Sequence, residues 1–450
     1  MKTSIENNYI GLFKEHRNML DRNVSDVLNV YRDGAYDSFC KWGFPTKQNE
    51  NYLNSDLKEW FTPDFGMNLR RLDMPVETSE AFKCNVPSLK TRMHTIANDT
   101  YEYPRQSSVD KYPEGVLVGG LNEISKSRPE IVGAYYNKLA RMDSEGIAAF
   151  NTMFAQDGFL LYVPAGTALD SPIQLVSLSQ SSVNLLVTRR LLIVLEKGAR
   201  VKLLLCDHAL SRVNVLSTQV IEAFVGQDAS LEIYDLEETH LENHRVTDLY
   251  CRQEAGSSVS HTSLALHNGK TRNNCFFKLA GPGANLELNG VAITDKSQSV
   301  DNSVFVDHAS PDCNSNQLYK YVLDDKSTGF FSGKVLVRPG SQRTVSRQTN
   351  RNICLSEQSR MFTKPQLEIY ADDVKCGHGA TVGQLDDNAL FYMRQRGIPF
   401  DEARMTLMLA FINEVLDRVE LDPLRERLRR LVERRFRGEL NQCEGCQICK

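Results

Sequence analysis

Apolar positions divide this chain into three stretches with different periods. Up to about residue 110, segments such as 5–20 and 24–34 space their apolar residues three and four apart, which predicts amphipathic helices, and 54–61 reads as one more short helix. Residues 62–113 are irregular and polar, with several prolines, and read as connection. From about Gly115 to Arg351 short aliphatic and β-branched runs dominate, among them LLVTRRLLIVL, ARVKLLL, STQVIEAFV, ASLEIYDL and SVFVDH, each read as a strand. From Asp386 onward the helical period returns.

The strand-rich stretch repeats itself. A turn containing Gly, Asp or Pro, then a small residue, then an alternating strand recurs in KGARVKLLL, GQDASLEIY, AGSSVSHTS, GPGANLELN, SPDCNSNQL and RPGSQRTVS. Anchored at Ala199, Ala229, Ser257, Ala284, Cys313 and Ser341, successive units are 30, 28, 27, 29 and 28 residues apart. So regular a step predicts stacked coils of a β-solenoid, each burying its neighbour's face, in preference to a sandwich whose turns happen to fall evenly.

In the last stretch Asp386 or Asp387 caps a helix over ALFYMRQR, which Gly397-Ile398-Pro399 stops. A second helix covers EARMTLMLAFINEVLDRV. A third covers DPLRERLRRLVERRFRG, with Pro423 in its first turn and Gly438 at its end. Arg429, Arg430, Arg434 and Arg435 read as one basic face of that helix, a solvated surface in preference to a docking face. The predicted organisation is therefore an N-terminal helical domain and linker (1–114), a β-solenoid core (115–385), a C-terminal helical domain (386–438) and a cysteine-rich tail (439–450).

Bulk composition narrows the classes. With 450 residues, 41% hydrophobic and 24% charged, the chain has the make-up of a folded protein with a real core. A net charge of −4 offers no reason to expect nucleic acid or an anionic membrane as partner. The most apolar run, 185–195, is short and carries Arg189 and Arg190, so no membrane span is expected, and MKTSIENNYI lacks the apolar region of a secretory signal. Eleven cysteines spread over a long chain are not a disulfide framework. A cytoplasmic location with reduced thiols is the expectation.

Several chemistries can be set aside or weighed. Gly329-Phe-Phe-Ser-Gly333-Lys334-Val335 is one residue short of a phosphate loop and has Val where a hydroxyl would hold magnesium. There is no G-x-S-x-G elbow and no H-E-x-x-H helix. Glu232, Asp235, Glu237 and Glu238 lie close to His240 and His244, but solvated loop charges explain them more simply than a glycosidase site. The densest candidate is LEIYADDVKCGHGATVGQL, where Cys376 and His378 are two apart and so share one side of an extended strand. A thiolate and an imidazole there suit iron, zinc or a sulfur species, while Gly377, Gly379 and Gly383 permit close backbone approach. A buried structural pair is the plainer reading of Cys-x-His by itself. The terminal CEGCQIC places Cys443, Cys446 and Cys449 in C-x2-C-x2-C spacing, locally suited to iron–sulfur or zinc ligation, though with three ligands and no nearby fourth.

KPQLEIYADDVKCGHGATVGQLDDNALFYMRQRGI closely resembles the signature of the SufB/SufD family of iron–sulfur cluster assembly proteins. FVDHASPDCNSNQLYKYVL, FSGKVLVRPGSQRTVSRQTNRN and DGFLLYVPAGTALDSPIQL extend the likeness over most of the chain, and GFPTKQNENYLNSDLKEW resembles the amino-terminal segment of its SufD-type members. DDVKCGHGATVG is the SufD-like form. SufB-like chains carry a glutamate before that histidine and a C-D-S segment that TNRNICLSEQSRMFTKP lacks, so the SufB cysteine role does not transfer to Cys354.

The resemblance implies a right-handed parallel β-helix flanked by helical terminal domains, in a non-catalytic scaffold subunit. It implies a SufB-like paralogue paired through the β-helices and a SufC-like ABC ATPase docked on the C-terminal helices, with a homodimer as the form of the chain alone. It ties His378, with Cys376 as a weaker companion, to cluster assembly at the interface of the two paralogues. Iron or a nascent cluster would pass there transiently, with no cofactor held stably by the isolated chain. The resemblance says nothing for the CEGCQIC tail. Two alternatives remain in view: a SufB-type scaffold holding the nascent cluster itself, and, further off, a β-helix carbohydrate-active enzyme.

Overall fold

The turn that recurs in the sequence is the corner on which the fold is built. In a computed structural model, which describes residues 4–72, 86, 88–103, 112–143 and 146–439, the anchors Ala199, Ala229, Ser257, Ala284, Cys313 and Ser341 are all 1% exposed or less. Each stacks at an inside corner where only a small side chain fits. The residue before each anchor takes a left-handed backbone: Gly198, Asp228, Gly256, Gly283, Asp312 and Gly340 have φ between +57° and +84°. Only Gly, or Asp and Asn at modest cost, adopts that conformation readily, which is why those residue types mark the repeat.

Each coil then contributes one strand to each of two sheets. The result is a parallel β-solenoid of about 8 turns, with 42% of the described residues in strands and 25% in helices. Among the described residues one sheet has ten strands and the other nine, with strands alternating between them from Gly158–Val163 onward. Successive strands pair parallel and in register, as Thr344–Cys354 does with Val374–Gly383 and Thr328–Val337 with Arg360–Ile369.

The two ends differ. At the N-terminal end antiparallel strands flank the stack: Thr100–Glu102 on Arg92–Ala97, and Leu117–Gly120 on Gly158–Val163. Arg92–Ala97 lies in the stretch that reads as connection from sequence, because its core-facing side is supplied by Ile173–Ser179, eighty residues on. At the other end Arg360–Ile369 and Val374–Gly383 are the outermost strands of their sheets.

Helices cover both outer faces. The wholly buried helix Gly146–Phe154 lies between the helices Ser4–Arg22 and Arg32–Trp42 and the nine-stranded sheet, with Tyr9, Phe44, Phe61 and Phe150 interlocked and Leu186, Leu216 and Val246 beneath. Phe400–Leu416 and Asp422–Phe436 cover the ten-stranded sheet, setting Met408, Ile412 and Leu428 against Leu264, Val291 and Leu318. Asp386 caps the helix Asp387–Gln395 by accepting from the Asn388 and Ala389 amides, Gly397 ends it at φ +83°, and none of its side chains is buried.

Two charge readings need correction. Asp235, Glu237 and Glu238 are not solvated loop charges: they sit buried on the strand Ser230–Glu238. Its odd positions share the solenoid interior with Leu231 and Ile233. There Arg245 donates to both Asp235 oxygens at 3.1 and 3.2 Å and lies 3.6 Å from Glu237, which also accepts from Thr271 at 2.8 Å. Nor do Arg429, Arg430, Arg434 and Arg435 form one solvated face. Arg435 is 4% exposed and turns toward the sheet, donating to the Leu266 carbonyl at 2.6 Å and pairing with Asp295 at 2.8 Å. A helix 3.6 residues per turn cannot keep two adjacent arginines on one narrow face.

Candidate functional site

The last coil carries the candidate residues because the chain stops coiling there. In Val374–Gly383 the even positions turn inward, and Val374 and Cys376 pack against the main core. Register places Cys376 over Ser346 and His378 over Gln348. On any earlier coil the inward side chains would be sealed by the next. Here no further strand among the described residues follows, so Cys376 is half-buried and His378 exposed. The two residues that share a side by sequence alternation do share it.

Burial pushes the Cys376 thiol up, against the opposing pull of a backbone hydrogen bond from Ser346. With Cα atoms about 7 Å apart, a thiolate and an imidazole at i and i+2 are two donors for a soft or borderline metal or a sulfur species. Among the described residues no group of three or more His, Cys, Asp or Glu side chains is placed to hold a metal.

The outer side of the same strand is bare. Space is open where a Cβ would stand on Gly377, Gly379 and Gly383, so no close approach within the described chain requires glycine there. Gly377 and Gly379 floor a groove of about 530 Å³ walled by Arg347, Arg351 and Lys375. Two interior apolar residues at this end stay uncovered, Ile369 at 40% and Val382 at 50% exposure.

Other candidates resolve differently. Gly329 to Lys334 lies along the strand Thr328–Val337, not ahead of a helix, so no phosphate loop forms. His244 is half-buried against Trp60, ring centroids 5.3 Å apart, and desolvation there pushes it down to about 4. Cys354 ends its strand and packs against the core. Cys443, Cys446 and Cys449 lie outside the described residues.

Sequence reasoning missed the polar lining beneath the site: Ser346, Gln348, Asn350 and Asn352 are all buried. Their every-second spacing was visible, but Arg347 and Arg351 alternate with them, so both sides of the strand read as polar.

Comparison with known proteins agrees with this architecture. Residues 178–411 match the family model described as SUF system FeS cluster assembly, SufBD core domain, and residues 3–175 match the SufBD protein N-terminal region. The chain is 28% identical over 438 residues to an iron–sulfur cluster assembly SufBD family protein of Synechocystis, covering 92% of each. It is 34% identical to the iron–sulfur cluster assembly protein SufD of Escherichia coli over 201 residues, 45% of this chain and 47% of that one. To SufD of Bacillus subtilis it is 24% identical across 72% of this chain and 75% of that one. A β-solenoid whose core and N-terminal region both match, with the Cys-Gly-His segment on its open coil, belongs to the SufB/SufD family of iron–sulfur cluster assembly proteins.

Proposed function

We propose that this chain is a SufD-type scaffold subunit, without catalysis of its own, that joins a SufB-like paralogue through the open end of its solenoid. The observation that carries this reading is that end itself. Two ten-residue edge strands, exposed Ile369 and Val382, and His378 beside Cys376 all stand where another solenoid would continue the stack. Unpaired edges of that length are normally covered. A SufB-type scaffold is the less favoured reading, because the segment before His378 lacks the SufB glutamate.

The C-terminal helices are the proposed seat of a SufC-like ABC ATPase. Lys320 donates to the Phe411 carbonyl at 2.6 Å, Arg404 pairs with Asp324 at 2.7 Å, and Arg435 reaches Asp295, so these helices are tied to the sheet that ends in Val374–Gly383. ATP-driven closure of the bound ATPase subunits would pull on the helices and shift the paired edges. That shift would open His378 and Cys376 to iron or sulfide as substrate, the nascent cluster being carried at the interface and not held by this chain alone. The work is cytoplasmic in this reading.

Anaerobic affinity capture of the tagged chain from its native cells, with partners identified by mass spectrometry and iron quantified, tests the proposal. Recovery of a SufB-like paralogue and an ABC-type ATPase is expected. Recovery of the chain with neither would overturn it.

A further inference from the structure

The residue under His378 carries a buried polar atom that no described group satisfies. Running toward that end, one interior column reads Leu203, Ile233, His261, Leu288, Gln317, Gln348 and finishes on His378. Apart from His261 the earlier rungs are aliphatic, and the two rungs below the histidine are amides. Gln348 is 1% exposed, and its Nε2 donates to Gln317 Oε1 at 3.1 Å. Its Oε1 has no partner among the described residues. A buried carbonyl oxygen without a donor is costly, and native cores seldom keep one.

The facing sheet is shaped around this amide. A Cβ on Gly333 would stand 2.0 Å from Gln348 Nε2, so Gly333 clears the space the side chain occupies. Neighbouring rungs of a parallel ladder are about 4.8 Å apart, close enough for an amide to reach the imidazole stacked on it.

We infer that Gln348 is a positioning residue for His378: when the exposed imidazole turns inward over the unpartnered amide oxygen, that oxygen accepts the N–H of one ring nitrogen, and the other nitrogen's lone pair is thereby directed out of the open end. A ligating histidine is ordinarily held in one tautomer by such an acceptor, and the acceptor sets how well it binds. The inference rests on the proposed role of His378 as a donor during cluster assembly. It adds which residue fixes that donor, and it assigns Gly333 the part of making room.

The test uses the full chain with ¹⁵N-labelled histidine, His378→Ala identifying the His378 signals, and the complex with its SufB-like and SufC-like partners. Gln348→Leu keeps the bulk and removes the acceptor. It should convert the His378 ring from one tautomer to an averaged pair and lower cluster formation by the complex about tenfold. Gln348→Glu, which retains an acceptor, should restore both. Gly333→Ala should act like Gln348→Leu by displacing the amide, and serves if the leucine variant does not fold. An unchanged His378 tautomer in Gln348→Leu or Gly333→Ala overturns the inference. A changed tautomer together with full cluster formation by His378→Ala supports the positioning contact and overturns the functional reading instead.

Discussion

A histidine on the last rung of a solenoid has a neighbour below and none above. Because His378 is exposed, replacing it by Ala removes little packing, but it leaves the buried Gln348 oxygen without its inferred donor and should cost about 1–3 kcal/mol without unfolding the chain. The same change should sharply reduce iron and sulfide incorporation by the assembled complex. Calorimetry and metal analysis on one preparation check both, and undiminished incorporation would remove His378 from the site. Glu237 shows the opposite situation. Burial pushes its carboxyl up to about 7, although Arg245 and Thr271 oppose the shift. An acid whose folded pKa exceeds its unfolded value binds its proton more tightly when folded. Its contribution therefore declines as pH rises from about 4.5 to about 7. Glu237→Gln should equal or exceed the parent chain in stability at pH 8, by up to about 3 kcal/mol, with the gap closing toward pH 5. Melting curves across that range decide it. Sequence placed Cys376 and His378 on one side because alternation along a strand needs no tertiary knowledge. It misplaced Asp235 and Glu237, since a carboxylate inside a solenoid is specified by Arg245, which lies on another strand.

The elements were legible where one rule controls them. The left-handed residue before a small buried anchor is imposed by the corner itself, so the step of 27 to 30 residues could be read from Gly or Asp followed by Ala, Ser or Cys. Ala284 is 0% exposed at such a corner. Ala284→Leu should cost about 1–3 kcal/mol by overpacking, measurable in denaturant unfolding, whereas the same change on a solvent-facing position should cost little. Less legible was the strand Arg92–Ala97, whose polar and prolyl surroundings hide a parallel partner far along the chain. The helix Asp422–Phe436 was found, but not its orientation, because an arginine-rich sequence does not say which guanidinium has carbonyls waiting for it. Arg435→Met removes donors from the Leu266 carbonyl, Gln298 and Asp295. It should cost about 2–3 kcal/mol. Hydrogen exchange should quicken in the helices Phe400–Leu416 and Asp422–Phe436 while the solenoid core keeps its protection; uniform protection would mean that the apolar contacts alone hold the helices.

At the scale of the molecule the asymmetry of the two ends decides what the fold can do. A solenoid buries each coil with the next, so its last coil exposes residues patterned for an interior. Sequence could supply the repeat but not its terminus, because the last coil carries the same alternation as those before it. The Ile369 and Val382 side chains are the clearest sign: both face inward by register, and both are exposed. If a second solenoid covers them, a charge at each position becomes a buried, unpaired cation on association and costs several kcal/mol in the complex. In the isolated chain the same charges stand in water and cost little. The double variant Ile369→Lys, Val382→Lys should therefore melt close to the parent chain yet fail to capture the SufB-like paralogue. Its C-terminal helices are untouched, so an ABC-type ATPase should still be recovered. Sedimentation and affinity capture on the same protein separate these outcomes. Loss of both partners would mean that the ATPase is held only through the paralogue, and retention of the paralogue would place the pairing surface away from the open end.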